Sequence, residues 1–176
     1  ERTWAVAGKA VDAGLRSAGV VACDPLVFPA EPCLYASLDN AHTIADRLRT
    51  LDAETGSAVV PIAVGSGTIN DLTKLAAKDV GRRYAVVGTA ASMDGYTGAG
   101  APISDNGVKV TMQCVAPQVV IFDLDITAAA PQVMTASGYG DLAAKIPGGA
   151  DWIIADAAGI EPVSYTHLTL PTTPYV

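Results

Sequence analysis

The stretch AVGSGTINDLTK, residues 63 to 74, combines an apolar run, two close glycines and then an aspartate and a lysine. Gly65 and Gly67 allow another molecule to approach the backbone, and a helix that starts after them presents unpaired N–H groups and a partial positive charge. Such a turn binds pyrophosphate. However, G-x-G-x-x-G requires a glycine at Asn70, and the P-loop requires Gly-Lys-Ser/Thr. From the residues alone, a phosphate cradle and a plain strand-to-helix corner both stay open.

A second polar cluster, GTAASMDGYTG at residues 88 to 98, also follows an apolar run. Thr89, Ser92 and Asp94 place two hydroxyls and a carboxylate at the end of a predicted strand, where ligands collect in open parallel sheets. The small residues around them leave room for a ligand. The alternative is an ordinary polar loop.

A third cluster, GYGDLAAK at residues 138 to 145, places Asp141 between a glycine and a helical pattern. This position suits a helix N-cap as well as a functional carboxylate. A single Asp does not build a metal site, and borderline metals usually take histidine as well. The sequence has two histidines, His42 in a predicted helix and His167 near its end, and we expect His42 at the surface.

Composition excludes several classes of function. The formal charge is −7 and the eleven Lys and Arg residues are scattered, so no basic stripe for nucleic acid is expected. No apolar run reaches the roughly 18 residues of a membrane span, and the N-terminus lacks a signal-like apolar region. With 50% hydrophobic and 16% charged residues, the chain should fold.

Cysteine and serine chemistry is not expected. Cys23, Cys33 and Cys114 are odd in number and form no C-x-x-C pair, which favours a reducing compartment and therefore the cytoplasm. No basic group near them in sequence would activate a thiol, and no G-x-S-x-G is present.

The elements that must position these clusters alternate between helix and strand. Apolar residues at spacings of three and four predict helices over residues 4–18, about 41–51 and about 69–78. Apolar runs predict a short strand within 19–30 and strands buried on both faces at 57–64, 84–88 and 118–126. Asp39 or Asn40 is expected to cap the second helix, and Asp-Asn-Gly within APISDNGVKVTM predicts a β-hairpin. The fold class is thus α/β, a Rossmann-like parallel sheet with helices on both faces and a hairpin insertion.

The pattern changes near Thr127, where strand-like runs give way to alanine-rich helical ones. We therefore expect an α/β domain at residues 1–127 and the beginning of an all-helical second domain at 128–162. The last residues, VSYTHLTLPTTPYV, fit neither pattern and resemble a translated sequencing adaptor. We expect 163–176 to be a non-native tail and exclude it from fold reasoning.

Taken together, in this order and at these separations, VGSGTINDLTK, VVGTAASMDGYTG and APQVMTASGYGDLAAKIPGGADW resemble the sn-glycerol-1-phosphate dehydrogenases. That family belongs to the superfamily of glycerol dehydrogenase, iron-containing alcohol dehydrogenases and dehydroquinate synthase. The resemblance runs from about Glu1 to Pro162 and favours the bacterial form. It implies a Rossmann-like domain that binds NAD(H) or NADP(H) and a helical domain that holds one divalent ion, zinc or nickel. It also implies reduction of dihydroxyacetone phosphate to sn-glycerol 1-phosphate, a precursor of ether-linked phospholipids.

The resemblance implies roles for single residues. A turn would cradle the dinucleotide phosphates, and a following loop would line the cofactor. These residues are Gly67, Thr68, Ile69, Asn70 and Asp71 in the turn, and Thr89, Ala90, Ala91 and Ser92 in the loop. Asp94 would contact the substrate, and Asp141 would contact the substrate and bind the metal.

The sequence also departs from the family pattern. Gly98 stands where a cofactor-contacting serine is common. The first strand with its cofactor-binding aspartate would lie before Glu1, and two histidine ligands would lie beyond residue 162. We therefore expect the chain as given to be inactive, and the full-length enzyme to be a homo-oligomer acting on a small phosphorylated substrate, without nucleic-acid or membrane partners.

Three alternatives stay open. The first is a related glycerol or alcohol dehydrogenase. The second is a dehydroquinate synthase-like enzyme, which should carry more Lys and Arg than SMDGYTGAG provides. The third is a non-catalytic nucleotide-binding module.

Overall fold

A computed structural model of the chain describes residues 3–163. From residue 164 onward, the predicted tail and His167 lie outside the described residues. The chain begins with a π-helical stretch, Trp4–Gly8, which leads into α1, Lys9–Ser17. Gly19, with φ +75°, follows this helix, which confirms the first predicted helix and its end.

Three parallel strands form the sheet that positions the site. They are β1 (Ile62–Gly65), β2 (Ala85–Gly88) and β5 (Val119–Phe122), in the order β1-β2-β5. The helix α3, Gly67–Asp79, connects β1 to β2. In the register, Gly65 lies opposite Gly88, and Gly88 lies opposite Phe122. The predicted strand, helix, strand alternation is confirmed, and the carboxyl ends of the strands meet at one edge.

The helix α2, Leu38–Thr55, covers α3 with the predicted apolar stripe. The buried members of that stripe are Ala41, Ile44, Ala45, Leu48 and Leu51. All of them except Leu51 share a core with Leu72 and Leu75 of α3 and with Ile103 of the hairpin. The predicted cap at Asp39 or Asn40 is wrong, because Ser37 precedes the helix and its Oγ accepts the Asn40 N–H at 3.3 Å.

The predicted hairpin is confirmed. Its antiparallel strands are β3, Gly100–Asp105, and β4, Val108–Gln113. Asn106 and Gly107 form the turn with φ values of 47° and 81°. Two consecutive positive φ angles characterise the turn that Asn-Gly favours between twisted strands.

The strands are shorter than the apolar runs predict. The run at 57–64 predicts a strand of eight residues, but β1 covers only Ile62–Gly65. The run at 118–126 likewise predicts a longer strand than β5, which ends at Phe122. Asp123 stops β5 because its side chain accepts the N–H groups of Asp125 and Ile126 and begins a helix. The expectation of burial on both faces is also wrong, since Ile121 is 52% exposed whereas Val86 is fully buried.

Residues 19–30, all of them described, form no strand, so this prediction is wrong. Val21 is 92% exposed, and none of these residues pairs with the three-stranded sheet. β-branched residues favour a strand only where a neighbouring strand supplies hydrogen bonds and packing.

After β5 the described chain is helical. The helices are α4 (Leu124–Ala128), α5 (Gln132–Ala143) and α6 (Lys145–Ala157). None of their residues is buried in the described structure. This agrees with the predicted change of pattern, while a domain boundary at Thr127 stays a prediction. Within residues 3–163, no helix combines the length and the apolar character required to cross a membrane.

Candidate functional site

The first two sequence clusters meet at the carboxyl edge of the sheet. β1 ends at Gly65 and α3 begins at Gly67, while β2 ends at Gly88. The Thr89 N–H donates to the Gly65 carbonyl at 3.2 Å, which joins the two strand ends. The start of α3 therefore lies beside the loop that carries the second cluster.

Ser92 links this loop to the first turn of α3. Its Oγ accepts the Gly67 N–H at 3.4 Å and lies 3.2 Å from the hydroxyl of Tyr96. The Tyr96 hydroxyl donates to the Ala90 carbonyl at 2.7 Å, and burial raises its pKa. Ser66, the residue before the helix, makes no side-chain cap, so Ser92 supplies the cap from a distant part of the sequence.

Both glycines of the turn lie in close packing within the chain, and the packing is the more rigid at Gly65. A Cβ on Gly65 would lie 2.9 Å from the Ile69 Cβ, and a Cβ on Gly67 would lie 2.8 Å from the Met93 Sδ. The corner explanation therefore accounts for Gly65, whichever ligand the turn binds, whereas at Gly67 the flexible Met93 side chain could give way to a Cβ. Met93 lies against the start of α3.

The five residues of the predicted phosphate cradle divide into two groups. Thr68 and Ile69 are partly exposed, whereas Gly67, Asn70 and Asp71 are buried. The whole residues Asn70 and Asp71 are 0% and 5% exposed. For these buried residues, contact with a cofactor stays a prediction.

Asn70 and Asp71 belong to a buried polar network. The Tyr84 hydroxyl donates to Asn70 Oδ1 at 2.9 Å, and Asn70 Nδ2 donates to Asp71 Oδ1 at 3.5 Å. Asp71 Oδ1 lies 3.6 Å from Lys74 Nζ. Burial raises the pKa of Asp71 to about 6, against the opposing effect of Lys74. Burial likewise raises the pKa of Tyr84 and lowers that of Lys74.

Asp94 and Asp141 are brought into direct contact although 47 positions separate them. The Asp94 N–H donates to Asp141 Oδ2 at 2.9 Å, and Lys145 Nζ lies 2.9 Å from Asp94 Oδ2. This N–H is the main reason that the pKa of Asp141 is lowered, and the Asp94 carboxylate raises the pKa of Lys145. At neutral pH, Asp141 is therefore an ionised carboxylate with an adjacent cation.

The alternative role of Asp141 as a helix N-cap is wrong. Asp141 lies near the end of α5, which begins at Gln132. Its position depends on Gly138, one turn earlier in the same helix, where a Cβ would lie 2.1 Å from the Ala91 carbonyl oxygen. The backbone of α5 thus packs directly on the loop that carries Asp94.

A complete metal site is not present among residues 3–163. No group of three or more His, Cys, Asp or Glu side chains is placed there to hold an ion. His42 is exposed, as predicted. Of the metal ligands that the sequence analysis predicts, Asp141 is the one that lies among the described residues. These residues alone do not fit a divalent ion, so we derive no step through one.

Two lysines of the site were not predicted from the sequence. Lys145 begins α6, whereas Asp141 lies on α5, and Lys145 pairs with Asp94, so no sequence spacing identifies it. Lys74 follows Asp71 by three, which is a helical contact spacing that could have identified it. The three cysteines, all in the described part, form no disulfide, and burial raises the pKa of Cys114.

Comparison with known proteins adds family and fold. The family model for iron-containing alcohol dehydrogenase matches residues 1–131. The chain is 38% identical over 162 residues to the NAD(P)+ glycerol-1-phosphate dehydrogenase of Bacillus velezensis, covering 92% of this chain and 40% of the relative. It is 48% identical over 105 residues to the enzyme of that name from Bacillus subtilis, covering 60% of this chain and 27% of the relative.

A solved structure shows the same fold. The crystal structure of glycerol dehydrogenase from Schizosaccharomyces pombe aligns with a TM-score of 0.67 at 23% identity, covering 82% of this chain and 35% of that chain. The chain thus spans 40% or less of the length of these three proteins. The predicted Rossmann-like α/β fold is confirmed.

Proposed function

We propose a dehydrogenase function for this chain, which belongs to the iron-containing alcohol dehydrogenase family. In this proposal, the full-length protein uses NAD(P)H to reduce dihydroxyacetone phosphate to sn-glycerol 1-phosphate. Hydride adds to the C2 carbonyl carbon, and a proton is added to its oxygen. Support comes from curated relatives of 38% and 48% identity that carry the name glycerol-1-phosphate dehydrogenase.

The observation that carries this proposal is the contact between Asp94 and Asp141, at 2.9 Å. It joins a loop from the carboxyl edge of the sheet to the helical part of the chain, beside the start of α3. A carboxylate there can accept a hydrogen bond from the hydroxyl group of dihydroxyacetone phosphate, and Lys145 fixes the Asp94 carboxylate. The start of α3 and the adjacent loop offer backbone N–H groups to a pyrophosphate. Fixing a substrate against a cofactor is a large part of what a protein adds to hydride transfer.

Cofactor and setting are part of the proposal. We propose NAD(H) or NADP(H) and a divalent ion, zinc or nickel, whose remaining ligands are not among the described residues. Cytoplasmic location, a homo-oligomeric full-length enzyme, and the absence of nucleic-acid and membrane partners stay predictions. The product would supply phospholipid or ether-lipid synthesis.

The substrate assignment predicts a strong preference for the phosphorylated compound. The full-length protein should oxidise NAD(P)H with dihydroxyacetone phosphate far faster than with dihydroxyacetone. The protein groups that bind the phosphate have no partner when dihydroxyacetone occupies the site, and this cost lowers kcat/KM for dihydroxyacetone. The measurement is kcat/KM for both ketones, followed at the absorbance of the reduced nicotinamide. Equal values would favour a glycerol or alcohol dehydrogenase, and turnover of neither ketone would contradict both assignments.

The 176-residue chain by itself should bind NADH without turning over dihydroxyacetone phosphate. Its described part lacks a group of metal-binding side chains, whereas the turn and loop predicted to contact the dinucleotide are present. Titration with NADH followed by fluorescence tests binding, and an assay with added zinc or nickel tests turnover. Metal-dependent oxidation of NADH by this chain would refute the prediction. If the chain did not bind NADH at millimolar concentration, both the predicted dinucleotide contacts and the alternative of a non-catalytic nucleotide-binding module would be contradicted.

A further inference from the structure

Lys74 is a buried lysine to which the proposed function assigns no role. Its side chain is 0% exposed, and it lies on the helix α3. Lysine is almost never fully buried unless its ammonium group is paired, because desolvating the charge is costly. Its contacts should therefore show what the lysine stabilises.

The ammonium group of Lys74 has three partners, and two of them belong to the loop that carries Asp94. Nζ donates to the Gly95 carbonyl at 3.2 Å and to the Gly100 carbonyl at 2.9 Å. The third partner is Asp71 Oδ1, at 3.6 Å. The two carbonyls take two of the three N–H donors of the ammonium group, and the Asp71 carboxylate lies close enough for an ion pair.

The two carbonyls lie within one short segment, at the start of a 3-10 turn and at the start of β3. Residues 93–100, which we name the 93–100 loop, contain one three-residue 3-10 turn, Gly95–Thr97, and then enter β3. The main chain of this loop supplies the Asp94 N–H that donates to Asp141. Lys74 thus holds the loop from the interior, on the residue that follows Asp94 and at the start of β3.

We propose that Lys74, with Asp71 as its counter-ion, is a positioning residue that fixes the 93–100 loop and thereby Asp94 against Asp141. The inference rests on the proposed function, in which Asp94 contacts the substrate. Lys74 itself does not touch the reacting atoms. A general role in stability is the competing explanation, and the experiment must separate the two.

Three variants of the full-length protein make this separation. K74M removes the ammonium group but keeps an unbranched apolar chain. D71N/K74M also removes the carboxylate that K74M leaves buried without its cation, so it recovers stability without restoring the bonds to the loop. L48A is the control, because it removes core packing in α2 and touches no group of the network. The readouts are amide hydrogen exchange, the melting temperature, and KM for dihydroxyacetone phosphate and for NAD(P)H.

We expect amides of the 93–100 loop to exchange about tenfold faster in K74M and in D71N/K74M, as for loss of two hydrogen bonds. L48A should lower the melting temperature without this local change. In K74M, KM for dihydroxyacetone phosphate should rise about tenfold, while KM for NAD(P)H should stay within about twofold. The reason is that the lost hydrogen bonds go to Gly95 and Gly100, which follow the predicted cofactor-lining residues 89–92 in the chain. If K74M does not fold, the exchange of the loop amides in D71N/K74M tests the positioning role instead.

Unchanged loop exchange in D71N/K74M, or equal acceleration in L48A, would overturn the positioning role. A parallel rise of both KM values in K74M would do the same. Failure of the proposed function is recognised separately, because wild-type protein would then show no turnover of dihydroxyacetone phosphate. In that case the exchange measurement still decides whether Lys74 holds the loop.

Discussion

Replacing Gly138 by alanine is expected to lower kcat/KM of the full-length protein for dihydroxyacetone phosphate at least ~100-fold, since misplacement by about 1 Å can cost that much. The new Cβ would lie 2.1 Å from the Ala91 carbonyl oxygen and 3.2 Å from the Met93 nitrogen. Both are backbone atoms, so no side-chain rotation relieves the clash, and α5 must move away from the loop. Because Asp141 follows one turn later on α5, its 2.9 Å contact with the Asp94 N–H is then lost.

Gly140 provides the matched control on the same helix. A Cβ at Gly140 meets nothing within 4 Å, so Gly140→Ala should retain activity and gain about 0.5–1 kcal/mol of helix stability. No residue of α5 is buried in the described structure, so Gly138→Ala should leave the melting temperature of the 176-residue chain close to that of the unsubstituted chain. Steady-state kinetics and thermal unfolding of both variants provide the measurement. Equal activity of the two variants would show that the close approach of α5 to the loop does not position the site.

Local sequence patterns predict the helices better than their ends. The apolar stripe of α2 identifies this helix reliably, because most of its buried residues pack in one core with residues of α3 and β3. The cap could not be chosen from SLDN, since Ser37, Asp39 and Asn40 are all good capping residues. The structure selects Ser37 because its backbone is extended and bridges to Ser104 of β3, a contact that depends on tertiary packing.

The same limit applies to the site. The motifs predict Asp94 and Asp141 separately, and the packing of α5 on the loop brings them together. Their cation, Lys145, belongs to the following helix α6, so its role depends on how α5 continues into α6. The buried position of Asp71 could not be predicted, because an aspartate in a Gly-rich turn is expected to face solvent or ligand. In the fold it is buried beside Lys74, whose ammonium group also reaches the 93–100 loop.

The buried carboxyl of Asp71 also predicts a pH dependence of stability. The pKa of Asp71 is raised from 3.8 to about 6, chiefly by burial. Between these values the folded chain retains a proton that the unfolded chain releases. The stabilisation is therefore complete below about pH 3.8 and is lost as the pH rises through about 6. At about 1.4 kcal/mol per pH unit, the loss is about 3 kcal/mol.

Asp71→Asn should remove this loss, because asparagine keeps the shape of the protonated acid and carries no proton to release. The free energy of unfolding of the variant minus that of the wild type should rise by about 2 kcal/mol between pH 4 and pH 7, because part of the full change lies below pH 4. Asp71→Asn also removes the counter-ion of the buried Lys74, which lowers the stability of the variant. The prediction therefore concerns how the difference changes with pH, not its absolute value. Urea unfolding of the 176-residue chain at several pH values is the measurement, and Leu48→Ala, which changes no titratable group, should show a constant difference. A constant difference for Asp71→Asn would mean that its carboxyl group is as solvated in the folded chain as in the unfolded one.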